Sequence, residues 1–164
     1  MTRVLGIDPG LAATGWGIVD ADGSRSKYVA HGTITTSASD KLGARLSKMF
    51  DELTAIVRSY GPQAAGIEQL YFARNTSSAL PVAHARGVVL LGLEQRAVSA
   101  FEYPPQEIKQ SIVGSGRATK EQVQEMVRIL LGLNEIPKPN HSADALATAL
   151  CHIAHNGAME RFGV

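Results

Sequence analysis

The run Val4-Leu5-Gly6-Ile7 ends on Asp8, and Pro9 and Gly10 follow at once. An unbroken apolar run, without the alternation of a half-buried strand, describes a strand covered on both faces. Such a strand has to lie inside a sheet with helices packed above and below it. A chain of 164 residues is long enough to build those layers as one domain. The anomaly is the carboxylate. A strand built for a core delivers a charge at its end, and Gly10 lets the backbone turn away from it.

The remaining sequence supplies the rest of the sheet. Residues 14–19 (TGWGIV) and 27–35 read as a second and a third strand. The turn between them spans 20–24, with Asp22-Gly23 as its hairpin signal. Short connections make these strands an antiparallel meander. From Leu42 the period changes. Leu42, Leu46, Met49, Phe50, Leu53, Ile56 and Val57 share one helical face, with Ser39 or Asp40 as caps and YGP at 60–62 as the stop. Residues 64–69 (AAGIEQ) form a strand after a helix, hence one parallel to the first. A loop follows, YFARNTSS. A helix rich in small residues is expected over 79–97, with Pro81 in its first turn.

Residues 98–103 complete the sheet, stopped by Pro104-Pro105, and helices are expected over 119–131 and 141–155. The order is βββαβαβα(α). The predicted fold class is therefore α/β, a mixed five-stranded sheet of a three-strand antiparallel meander plus two parallel strands, with helices on both faces. Residues after about 156 are expected to be disordered.

Composition narrows the setting. The chain is 45% hydrophobic and 19% charged, ordinary for a globular protein. Cys151 is the only cysteine, so no internal disulfide can form, which favours a reducing compartment. No segment reads as a signal peptide or membrane span, so a cytoplasmic location is expected. The net charge of +1 means that any basic surface is local.

Parallel strands joined by crossovers bring their carboxyl ends to one edge of the sheet. Asp8 ends the first strand and Glu68 the fourth, so both acids belong at that edge. Two carboxylates in close company repel, and either a proton or a cation has to relieve them. Hard divalent cations prefer oxygen donors. The last helix adds His141 and Asp144, spaced i and i+3 on its first turn. Asp144 taken alone is also what a helix dipole favours there.

The stretches GIDPGLAATGWG, IEQLYFARN, IKQSIVGSGRATKEQVQ and HSADALATALCH resemble the RuvC Holliday-junction resolvases, of the RNase H-like nuclease superfamily. The resemblance runs along essentially the whole chain, in order. It implies one RNase H-like nuclease domain over residues 1–164 that resolves four-way DNA junctions by paired symmetric nicks, in recombination and repair. Two-metal-ion phosphodiester hydrolysis with Mg²⁺ or Mn²⁺, two ions per active site, is implied with it. The family's acidic site carries over onto Asp8, Glu68 and Asp144. Its fourth position commonly holds an Asp, where this chain has His141. Imidazole is softer than carboxylate and suits Mn²⁺ relative to Mg²⁺.

The same resemblance assigns DNA contacts. Tyr71 takes the family's base-stacking position with Phe72 beside it, and Arg74 and Asn75 belong to the same loop. Lys109 and Lys120 match family lysines near the site, with Lys120 counted among the catalytic groups, and Arg117 joins them as a phosphate contact. The helix over 79–97 is the expected two-fold interface of a homodimer, and Arg86 serves either that interface or DNA. A branch-migration complex, RuvA and RuvB, is the further partner implied, with no membrane.

Three other readings compete. GIDPGLAATG is also similar to the first phosphate loop of actin-like ATPases and sugar kinases, but those need two such domains. An RNase H-type enzyme cutting RNA–DNA hybrids would share the acids but not the aromatic loop. A non-catalytic junction-binding module would not need Asp8, Glu68 and Asp144 together. GSGRATK lacks the spacing of a phosphate-binding P-loop. Cys151, His152 and His155 lack the four-ligand spacing of a zinc site.

Overall fold

A computed structural model describes residues 1–23, 25–69 and 76–162, the side chains of 76–78 and 158–162 excepted. The elements are β1 (Thr2–Asp8), β2 (Ala13–Asp22), β3 (Arg25–Thr35), α1 (Leu42–Tyr60), β4 (Ala64–Glu68), α2 (Thr76–Glu94), β5 (Ser99–Tyr103), α3 (Pro105–Val113), α4 (Lys120–Leu130) and α5 (Asn140–Phe162). They form a five-stranded sheet in the order β3-β2-β1-β4-β5. β1 pairs antiparallel with β2 and parallel with β4, and so is central. β2 pairs antiparallel with β3, and β4 parallel with β5. The expected mixed sheet is the one observed.

Alternation along β1 decides which helices pack on which face. Leu5 and Ile7 point to one side, into a core with Met49, Leu53 and Val57 of α1 and Val89 and Leu93 of α2. Val4 points to the other side, into a core with α3, α4 and α5. Gly6 and Asp8 share the face of Val4 by the two-residue period. In the sheet register Gly6 stands between Gly17 of β2 and Gly66 of β4. This row of glycines is a bed for α5. A Cβ on Gly6 would lie 1.8 Å from the Ala145 carbonyl oxygen, and one on Gly66 2.9 Å from that of Thr148. The helix therefore lies closer to the sheet than any side chain would allow.

An ion pair ties the far edge together. Arg3 donates through Nε and Nη2 to the Asp20 carboxylate at 2.7 and 2.8 Å, and through Nη1 to the Tyr60 carbonyl. The arrangement joins β1, β2 and the end of α1, and the Arg3 hydrogen bonds hold the Asp20 carboxyl below its ordinary range.

Several elements differ from expectation. α3 was not expected: Pro104-Pro105 reads as a stop, yet Pro104 is the N-cap and Pro105 opens the helix. Proline suits that first position, because its fixed φ is helical and its missing N–H has no intrahelical partner there anyway. α1 starts after Lys41, which makes no side-chain cap, so neither Ser39 nor Asp40 caps it. It ends at Gly61 in the left-handed region, as YGP implies. α2 begins at Thr76 instead of 79, which puts Pro81 inside the helix and outside its first turn, and it ends at Glu94. α5 continues beyond 155 to Phe162. Among the described residues no helix is long and apolar enough to cross a membrane.

Candidate active site

The site follows from strand register. β1 and β4 run parallel with Ile7 opposite Ile67, so Asp8 and Glu68 are the next residues of adjacent strands, on the α5 face. Gly15 of β2 pairs with Asp8 on the other side. A Cβ on Gly15 would lie 1.9 Å from the His141 carbonyl oxygen, so the first turn of α5 rests directly on this glycine. That turn presents His141 and Asp144 to the two strand ends.

His141 Nδ1 lies 2.7 Å from Asp8 Oδ2. One ligand atom from each of Asp8, His141 and Asp144 lies within 4.8 Å of the others, and Glu68 flanks the trio. Lys120 Nζ reaches Asp144 Oδ2 at 2.8 Å. Lys120 owes its place to a capping box. Thr119 Oγ1 accepts from the Gln122 N–H, and Gln122 Oε1 accepts from the Thr119 N–H, which starts α4 at Lys120. A cavity of about 230 Å³ opens alongside, lined by Glu68, Lys109, Lys120 and Asp144 and by apolar Ile108 and Val123.

The electrostatics describe a place with too much negative charge. Burial, then the charges of Asp8 and Asp144, push the Glu68 carboxyl up to about 8. Burial also raises Asp144, against the opposing pull of Lys120. The hydrogen bond to Asp8 raises His141, and the one to Asp144 raises Lys120. Without a cation, Glu68 keeps a proton at neutral pH that a carboxyl would ordinarily have shed. A divalent cation relieves that strain, and three carboxylates with one imidazole are a fitting donor set for it. Binding has to expel the retained proton, because ligating groups are deprotonated.

Asp8, Glu68, His141, Asp144 and Lys120 therefore come together, and Lys109 faces the same cavity. Arg117 is exposed in the turn ahead of α4. Tyr71, Phe72, Arg74 and Asn75 lie outside the described residues. Arg86 is engaged with the carboxylate of Glu102 on β5 through two hydrogen bonds. His152 is buried against the Tyr103 hydroxyl at 2.7 Å, and His155 pairs with Glu107. Among the described residues neither histidine joins Cys151 in a group that could hold a metal. Lys109 was expected near the site, but the helix α3 that carries it, and the apolar Pro105 and Ile108 it adds to the cavity, were not. One signal for the paired acids was present in the sequence: Gly6-Ile7-Asp8 and Gly66-Ile67-Glu68 end both strands on Gly-Ile followed by an acid.

Comparison with known proteins agrees with this geometry. The family model for crossover junction endodeoxyribonuclease RuvC matches residues 4–152. The RuvC of Rubrobacter xylanophilus is 50% identical over 149 residues, covering 91% of this chain and 83% of that protein. The RuvC of Caldicellulosiruptor saccharolyticus is 48% identical over 158 residues, covering 96% and 95%. Among solved structures, T. thermophilus RuvC in complex with Holliday junction substrate superposes with a TM-score of 0.92 at 33% identity, over 96% of each chain. The fold is RNase H-like, and the chain belongs to the RuvC family of crossover junction endodeoxyribonucleases.

Proposed function

We propose that residues 1–164 act as one nuclease domain that resolves four-way DNA junctions by metal-dependent hydrolysis of opposed strands. The observation that carries this reading is the convergence of Asp8, Glu68, His141 and Asp144 at one sheet edge, in a chain of the RuvC family. When bound, a pair of Mg²⁺ or Mn²⁺ ions supplies an activated water and neutralises charge at the scissile phosphate.

The chain's own residues hold and orient. Asp8, Glu68, His141 and Asp144 would hold the ions, Asp8 and Glu68 from the strand ends and His141 and Asp144 from the first turn of α5. Lys120 compensates Asp144 at the start of α4, and Lys109 adds positive charge across the cavity, where a phosphate oxyanion would gather it. Tyr71, Phe72, Arg74, Asn75 and Arg117 extend the reading to the junction strands.

Two active sites on one two-fold axis would cut two opposed strands, which calls for a homodimer. α2 offers the surface. Leu80, His84, Gly87 and Leu91 recur at helical spacing on its exposed side, while Ala85, Val89 and Leu93 are buried beneath. A branch-migration complex is the further partner that the family likeness adds.

The test is cleavage of a synthetic four-way junction, a linear duplex and an RNA–DNA hybrid, each with Mg²⁺ or Mn²⁺ at low salt. Paired nicks in the junction alone are expected, and Asp8→Asn is expected to abolish them while junction binding persists. Cutting of the hybrid alone, or binding without cutting, rejects the reading.

A further inference from the structure

The first turn of α5 carries two of the site's residues, but its position is set by β3, an edge strand that contributes nothing to the chemistry. Ser142, between His141 and Asp144, is fully buried. Its hydroxyl donates to the Gly32 carbonyl at 2.9 Å. The same oxygen lies 3.1 Å from Thr33 Oγ1. Since the Ser142 proton is spent on Gly32, Thr33 is the donor in that second bond. Two further contacts fix the approach to the turn. His31 Nε2 lies 3.3 Å from the Lys138 carbonyl, which can only accept, so Nε2 carries the proton and Nδ1 accepts from the Tyr28 hydroxyl at 3.0 Å. The Ser142 N–H donates to the Pro139 carbonyl.

We propose that Ser142 and Thr33 are positioning residues that set the affinity of the Asp8–His141–Asp144 site for its cation. The reason is geometric. Helix α5 slides or tilts along its glycine bed only if these hydroxyl bonds yield, because the bed is apolar and non-directional while the bonds are directional. The carbonyl of His141 rests on Gly15, so the bed fixes the depth of the turn. The hydroxyls fix its position across the sheet. A small shift of the turn changes the spacing of His141 and Asp144 from Asp8, which belongs to another element. Groups that orient metal ligands from behind typically matter by about 10- to 100-fold in affinity. The role rests on the reading of this cluster as a cation site.

The experiment measures Mn²⁺ binding to the DNA-free protein by calorimetry, junction affinity in EDTA, and cleavage rate as a function of Mn²⁺. Ser142→Ala is expected to weaken Mn²⁺ binding by about tenfold. Junction affinity in EDTA is expected to be unchanged, and cleavage at saturating Mn²⁺ to return close to the wild-type rate. Thr33→Val should show a smaller loss of the same kind, and Thr33→Ser, which keeps the donor, should match the wild type. Should Ser142→Ala fail to fold, the two Thr33 variants carry the test alone. A wild-type Mn²⁺ affinity in both Ser142→Ala and Thr33→Val overturns the proposal, as does equal loss in Thr33→Val and Thr33→Ser. If the wild type binds no Mn²⁺ and leaves the junction uncut, the cation site itself falls. If the wild type binds and cuts but Ser142→Ala and Thr33→Val are both unaltered, only the positioning role falls.

Discussion

Asp8 Oδ2 accepts a hydrogen bond from His141 Nδ1 at 2.7 Å, joining the end of the central strand to the first turn of α5 across 133 positions of sequence. The bond raises the affinity of His141 for its proton. A cation that takes both groups as ligands has to displace that proton, and it then meets one nitrogen among oxygens. Imidazole favours Mn²⁺ over Mg²⁺ more than a carboxylate does. His141→Asp is therefore expected to raise the Mg²⁺ rate relative to the Mn²⁺ rate, by about tenfold. Junction cleavage rates in the two metals, for both proteins, check this. An identical ratio in the two proteins would remove His141 from the ligand set.

Glu68 carries the largest electrostatic cost of the site. Its carboxyl is raised from 4.5 to about 8, burial being the main cause and the charge of Asp8 the next. For a raised carboxyl pKa, the folded state binds a proton that the unfolded state has lost. The corresponding stability is present below pH 4.5 and is lost as pH rises through about 8. The metal-free protein should thus weaken across that window. Glu68→Gln removes the titration, so in EDTA it is expected to melt several degrees above the wild type at pH 8 and close to it at pH 4.5. It should also be inactive. Equal melting temperatures for the two proteins at both pH values would contradict the placement of Glu68.

The bed under α5 makes a separate, mechanical prediction. A methyl on Gly6 would meet the Ala145 carbonyl oxygen at 1.8 Å, and both partners are backbone within packed elements, so neither can yield cheaply. Gly6→Ala is expected to cost about 3 kcal/mol or more in urea denaturation. Gly43→Ala, in α1 with open space around it, should change stability by less than about 1 kcal/mol. A Gly6→Ala protein with the wild-type midpoint would show that α5 does not lie where the glycine row puts it.

That row also explains what could be read before the fold was known. Val4 to Ile7 announced a central strand because burial on both faces removes alternation. Asp8 and Glu68 could be placed at one edge because parallel strands share their carboxyl ends. Local chemistry was enough for both. Nothing local to Gly15 and Gly17 says that a helix entering from far downstream rests on them. The hydroxyl of Ser142 meets Gly32 across 110 positions, and its neighbours in sequence give no hint of that partner. α3 was hidden for a different reason. Pro104-Pro105 is a local signal with two meanings, a helix stop or a helix start, and only the apolar pair Ile108 and Ile112 behind it chooses the second.

The exposed side of α2 bears on whether two strands are cut or one. Leu80 is 64% exposed and Leu91 52%, on a helix whose opposite side is tightly packed. Large apolar side chains recurring on one exposed helical face cost solvation unless a partner covers them. A charge at the centre of such a contact would meet its own copy across the two-fold axis, with no counter-ion to pair it. The wild type is therefore expected to sediment as a dimer, and Leu91→Glu as a monomer at the same concentration. The variant's fold should persist, because Leu91 touches solvent and not the core. On a supercoiled plasmid bearing an extruded cruciform, the wild type is expected to yield linear product from paired cuts. The variant should accumulate nicked circles, since each monomer brings one active site. Linear product at the wild-type rate from a Leu91→Glu monomer would show that paired cutting does not depend on this face.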